Sequence, residues 1–253
     1  MIGSSGPRSP TTCCEDSSLE QVSASGRGLT SVGWRGMPGD LALGAVMARI
    51  LFGLGVAYAG VVVAGFISRG NVSQPLADPY LGIAEGLILV MAPVMVTLVA
   101  AVHASAPARA RTSTLVALGW MVTGATLTMT VHFVELTVGR RVSGGAVPGY
   151  SHLFSFTWPS VAYAVDILAW DGLIGLSLIF AATAFTHDRD PPIRRGLLIA
   201  GACCLLGLIG PVVGNLAWRA VGIFGYAIVL PLTCLPLSRA FQHRALHRAN
   251  TVY

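Results

Sequence analysis

Six apolar stretches, each near the roughly 20 residues that cross a hydrocarbon core, run along this chain with short arginine-bearing segments between them. They lie at about 43–68, 80–104, 114–138, 158–185, 196–217 and 219–240. In lipid every backbone N–H and C=O must find its partner inside the protein, so such stretches fold as helices. The expected fold is all-α: a polytopic membrane helix bundle with six transmembrane helices. Composition agrees, since 54% of the 253 residues are hydrophobic and 11% are charged, too apolar a balance for an ordinary soluble domain.

The arginines orient the bundle. Placing both termini in the cytoplasm puts Arg27, Arg35, Arg109, Arg111, Arg189, Arg194, Arg195, Arg239, Arg244 and Arg248 inside and leaves Arg69, Arg140, Arg141 and Arg219 outside. Because loop arginines are retained on the cytoplasmic face, this bias predicts an N-in, C-in topology in a cell membrane. Arg49 lies within the first span and is expected to snorkel to that face. Residues 1–40 are rich in Ser, Gly and Thr and lack the apolar core of a signal peptide, so they are expected to form a disordered cytoplasmic tail. A start at Met37 would remove most of that tail and spare the membrane region. The transmembrane domain is then 41–242, with 243–253 as a cytoplasmic C-terminal tail.

All 16 basic side chains are arginine, which excludes a lysine Schiff base to retinal or pyridoxal phosphate. The arginines also sit mostly at membrane boundaries, so the net charge of +5 reads as topology and no nucleic-acid partner is expected. The cysteines, Cys13-Cys14, Cys203-Cys204 and Cys234, form no metal or redox spacing and are expected to act as small apolar fillers. Gly53, Gly55 and Gly60, and Gly210 with Gly214, are expected to let helices pack closely. Pro93, Pro211, Pro231 and Pro236 are expected to kink their spans.

Charge inside hydrocarbon costs several kcal/mol unless it is paired or hydrated, so ionisable residues within the spans mark the candidate site. Glu85, His132, Glu135, Asp166 and Asp171 are those residues. A rise of about 1.5 Å per residue places Glu85 roughly 8 Å, and His132 and Glu135 within about 9 Å, of the outer ends of their helices. Asp166 falls about 12 Å down the fourth helix and Asp171 about 20 Å down it. Asn215 and Arg219 enter from the same side, with Trp218 and Arg219 expected on an interfacial turn. His132 and Glu135, three apart, share a helix face with Thr128. Asp166 and Asp171, five apart, are turned by roughly 140° on a regular α-helix. Asp171 is therefore expected in a supporting position, and Asp166 shares its stripe with Tyr163 and Trp170.

Glu85, His132, Glu135 and Asp166 are thus the candidate catalytic residues around an outward-opening pocket. Tyr163, Trp170, Trp158, Asn215 and Arg219 are the candidate substrate-binding residues. One histidine among scattered carboxylates lacks a metal-binding motif, and His103 sits too deep to pair with His132 over a heme, so neither metal nor cofactor is expected. The segment 139–157, with Arg140, Arg141, Tyr150, His152, Phe154 and Phe156, lies over the pocket as a lid or an interfacial aromatic belt. Asp188-Arg189-Asp190 before Pro191-Pro192 reads as a solvated turn.

In size, helix number and buried acids the chain resembles the small integral-membrane terpene cyclases of meroterpenoid and indole-terpenoid pathways. That architectural resemblance implies membrane-embedded carboxylates that protonate an epoxide or olefin, with aromatic faces steadying a carbocation. On chemistry alone Asp166 is the expected acid, with Tyr163 and Trp170 as walls. The expected partners are the bilayer and a lipophilic, isoprenoid-type substrate. Two other functions fit the same residues: a proton-coupled transporter of a small solute, and a noncatalytic membrane assembly or interaction protein. The scarcity of polar residues toward the cytoplasmic half favours the enzyme.

Overall fold

The computed structural model describes residues 38–69, 76–139, 142 and 149–250, and every regular element among them is helical. The expected tail, apart from its last three residues, and Arg140 and Arg141 lie outside the described residues, as do Cys13 and Cys14. Six helices are long and apolar enough to cross a membrane: α1 (Gly39–Arg69), α2 (Tyr80–Ser105), α3 (Ala108–Gly139), α4 (Val161–Ala184), α5 (Pro191–Val213) and α6 (Leu216–His247).

The helices outrun the apolar stretches at several ends. Helical structure in α6 continues to Asn250, through residues expected to be a tail, because Gln, Arg, Ala and Leu favour a helix whose polar side chains can reach water. α4 starts later than the apolar stretch does. Ser160 caps it by accepting the Tyr163 N–H at 3.2 Å, and the preceding Pro159 disfavours helical backbone at Trp158.

Each helix packs against its chain neighbours, and α6 returns to close on α1. The α1–α6 seam depends on small residues. A Cβ at Gly55 would come 2.7 Å from Pro231 Cγ, and one at Gly44 would meet Phe241 at 2.9 Å. Gly53 and Gly60, also expected to pack, have open space around them. In α5 the expected glycine pair divides its work. Gly210 lies against the Asn215 carbonyl, whereas Gly214, at φ +71°, ends the helix in a left-handed turn. Pro211 explains the interruption at Leu208, since its ring clashes with the carbonyl of Gly207 and it has no N–H to offer there.

Leu51, Met95, Met121, Leu178, Leu197 and Leu237, one from each helix, help enclose an axial cavity of about 20 Å³. Thr233 is the polar residue in its lining, and its hydroxyl already donates to the Val229 carbonyl at 2.7 Å. A void of that size and lining offers a water no adequate set of partners. Around this dry core, serine and threonine join the helices: Ser177 Oγ donates to Ala117 O at 2.7 Å and Ser238 Oγ to Ala45 O at 3.0 Å. His103 Nδ1 and Thr114 Oγ1 meet at 2.9 Å between α2 and α3.

Candidate functional site

At the end of the bundle where α1 meets α2, α3 meets α4 and α5 meets α6, four buried ionisable residues form a chain across four helices. Glu85 Oε2 on α2 lies 2.5 Å from His132 Nδ1 on α3. His132 Nε2 lies 3.1 Å from Asp166 Oδ1 on α4. Asp166 Oδ2 accepts from Arg219 Nη2 on α6 at 2.9 Å. All four residues are at most 7% exposed. The carboxylates come from the second turns of α2 and α4, so the order of the helices around the ring delivers one to each nitrogen of His132.

This geometry is compatible with a doubly protonated imidazole. A carboxylate can only accept, so a histidine facing two carboxylates satisfies both contacts by donating from both nitrogens. With Arg219 the tetrad then sums to zero charge, which lowers the cost of burying it. Glu85 and His132 make the closest contact of the tetrad, at 2.5 Å. Asp166 has both oxygens engaged and serves as the link between His132 and Arg219.

His132 does not pair with Glu135, its neighbour on the same helix face, nor Glu85 with Arg219. Both imidazole nitrogens are taken by α2 and α4, and Arg219 reaches Asp166. Arg219 is thus not an interfacial residue: it is 7% exposed, and its guanidinium lies over the Tyr163 ring at 4.4 Å, a cation–π contact that offsets part of its desolvation. Its Nε and Nη1 are buried without a partner among the described residues.

Glu135 stands one turn beyond His132, at the start of a π-turn, Glu135–Gly139, that ends α3. It is 9% exposed, and its Oε2 has no hydrogen-bond partner among the described residues. Next to it, the Tyr150 phenol is pushed above its ordinary value by burial and then by the Glu135 carboxylate. Phe156 covers His132 at a ring separation of 5.2 Å and meets Tyr163 edge-on at 5.9 Å. The described part of the segment over the site therefore seals the imidazole against water. Arg140 and Arg141, expected in the segment over the pocket, lie outside the described residues.

Asp171 occupies a different place. A second π-turn, Leu168–Ile174, runs through it, and i→i+5 bonding narrows the roughly 140° that a regular α-helix would put between it and Asp166. Asp171 is 0% exposed, both oxygens lack a partner among the described residues, and it fills a slot between Gly207 of α5 and Gly222 of α6. Thr128, expected on the His132 face, is fully buried, and its hydroxyl has no partner among the described residues.

Among the expected substrate-binding residues, Tyr163 borders the tetrad, and Trp170 is buried against Tyr226 with ring centroids 4.7 Å apart. Trp158 is 36% exposed at the rim. Asn215 is exposed and directed elsewhere: its Oδ1 accepts the Ala217 N–H at 3.0 Å, capping the first turn of α6. Tyr58 and Tyr226 were missed as site residues. Both lie within electrostatic range of Asp166 and Arg219. Their signal in the sequence was a phenol inside an apolar span, a polar tip that needs a partner when buried.

No family model, curated protein or solved structure matches this chain.

Proposed function

We propose that this chain is an integral membrane enzyme that performs acid–base chemistry on a lipophilic, isoprenoid-type substrate, in the manner of a membrane terpene cyclase. The observation that carries the reading is the 2.5 Å contact between Glu85 and His132, close to a carboxyl, Glu135, whose Oε2 has no hydrogen-bond partner among the described residues. His132 and Glu85 form the proton store, Asp166 and Arg219 set its charge and orientation, and Glu135 exchanges the proton with substrate. Phe156 and Tyr163 supply the aromatic faces that a developing carbocation requires. Asp166, the acid expected from sequence, becomes a positioning residue because neither oxygen is available. With both termini cytoplasmic, the site lies at the outer-leaflet end of the bundle, and a lipophilic substrate entering sideways reaches it by displacing the Phe156 cover.

The placement of serine and threonine supports chemistry over simple helix joining. Away from the site the buried links between helices include neutral hydroxyls, the cheaper device in lipid, whereas the fully buried ion pairs among the described residues lie in the tetrad.

The test uses purified protein in lipid nanodiscs with a panel of prenylated epoxides and olefins, and products resolved by mass spectrometry. Protonation followed by proton loss conserves composition, so the expected product is an isomer of unchanged mass. Glu135→Gln and His132→Gln should each lower turnover at least about 100-fold, in line with loss of a general acid–base group, while the helical content is retained. Full turnover in Glu135→Gln would overturn the assignment of the acid, and absence of any isomer across the panel would overturn the reading itself.

A further inference from the structure

At the opposite end of the bundle the turn between α4 and α5 and the last turns of α6 border a second cavity, open to solvent, of about 360 Å³. Arg189, Arg239, His243 and Arg244 line it together with Asp190. Arg244 is held in place from two sides: Nη2 donates to Asp190 Oδ2 at 2.6 Å, and its guanidinium lies 5.6 Å from the Phe185 ring centroid. Arg189, Arg239 and His243 are exposed. Three arginines against one aspartate leave the lining at +2 with His243 neutral.

We infer that this cavity binds a phosphate monoester, either a lipid headgroup or a soluble phosphate. A dianion matches the surplus charge, and guanidinium forks match phosphate oxygens better than a single ammonium would. The volume admits a phosphate with a small substituent. Recognition rests on side chains. α5 opens with Pro191 and Pro192, which have no N–H, and the Arg194 N–H is already bonded to Asp190 O at 3.1 Å, so the helix end has few amides to offer. The position, at the ends of membrane-spanning helices, is where headgroup phosphates lie, and basic pockets between helices are suited to them. This site is independent of the Glu85–His132 chemistry, which sits at the other end of the molecule.

The experiment measures thermal unfolding of the whole chain in phosphatidylcholine nanodiscs, titrated with phosphatidic acid, with phosphatidylglycerol, or with inorganic phosphate. Stabilisation by phosphatidic acid exceeding that by phosphatidylglycerol identifies a lipid monoester, and saturable stabilisation by inorganic phosphate identifies a soluble one. The double variant Arg189→Gln, Arg239→Gln should bind either at least about tenfold more weakly, as expected for loss of charged hydrogen bonds. Arg109→Gln, Arg111→Gln, which removes charge from the same end outside the cavity, should bind as the parent does. Equal weakening in both double variants would show bulk attraction only, and stabilisation by none of the three probes, or unchanged binding in Arg189→Gln, Arg239→Gln, would overturn the inference.

Discussion

The two oxygens of Asp166 are committed to His132 and Arg219, whereas those of Asp171, five residues later, meet no donor among the described residues. The same substitution should therefore have opposite weight at the two positions. Asp166→Asn removes the charge that balances Arg219 in a buried pair, a change that costs about 3 kcal/mol or more. Asp171→Asn exchanges one unpartnered polar group for another of the same shape and should alter stability by less than about 1 kcal/mol. Equilibrium unfolding in a mild detergent would compare them, and equal losses would mean that Asp171 has a partner as important as Arg219. Tyr150 gives a prediction in pH. Its phenol value is raised in the folded state by burial and by Glu135, so the folded chain holds this proton more firmly than the unfolded chain does. The associated stability is intact below the ordinary tyrosine value near pH 10 and is lost as pH rises through the higher folded value. Between about pH 9 and 11 the melting temperature of Tyr150→Phe should accordingly fall less than that of the parent, and parallel curves would remove Tyr150 from the electrostatics of Glu135.

Among the elements, the interrupted helices do most to shape the site, and they were the part least legible in the sequence. Hydropathy located all six spans, and counting residues from their ends put Glu85, His132, Glu135 and Asp166 at one end of the bundle. Which of them meet could not be read, because pairing depends on helix order and rotation. A spacing of three suggested His132 with Glu135, yet carboxylates from α2 and α4 take the imidazole. Regular α-helical phase set Asp171 far from Asp166, and the π-turn at Leu168–Ile174 changes that phase. Asn215 and Arg219 were read alike as polar entrants at a turn. One caps a helix and the other is drawn inward by Asp166, a difference set by a carboxylate 53 positions away. Pro231 does bear on local geometry: it removes the bond to the Ala227 carbonyl, next to the π-turn Gly225–Val229 that carries Tyr226. The glycines facing Asp171 turn this into a stability test. A methyl at Gly222 would overlap the Asp171 carboxyl, so Gly222→Ala should destabilise by about 1–3 kcal/mol through overpacking. The double variant Gly222→Ala, Asp171→Ala should recover most of that loss in the same unfolding measurement. Failure to recover would place the strain elsewhere on α6.

For the whole molecule, the closed ring of helices puts the charged tetrad at one end of an axis whose middle is apolar and dry. Proton transfer over long distances requires donors and acceptors within hydrogen-bond reach, and between the tetrad and the opposite face the axis is lined by side chains such as Met95, Leu98, Met121 and Leu178. Glu85 and His132 lie within electrostatic range of Glu135 near the covered mouth, whereas the apolar lining of the axis offers no chain of donors and acceptors toward the opposite end. This asymmetry favours a site that returns its proton to the side from which it came, as a cyclase or isomerase does, over one that carries protons across. The corresponding prediction is that vesicles containing the reconstituted chain and a trapped pH-sensitive dye will dissipate an imposed pH gradient no faster than empty vesicles. His132→Gln should leave that rate unchanged. A gradient-dependent flux abolished by His132→Gln would require a path through the apolar axis, and would establish the same tetrad as the proton site of a transporter.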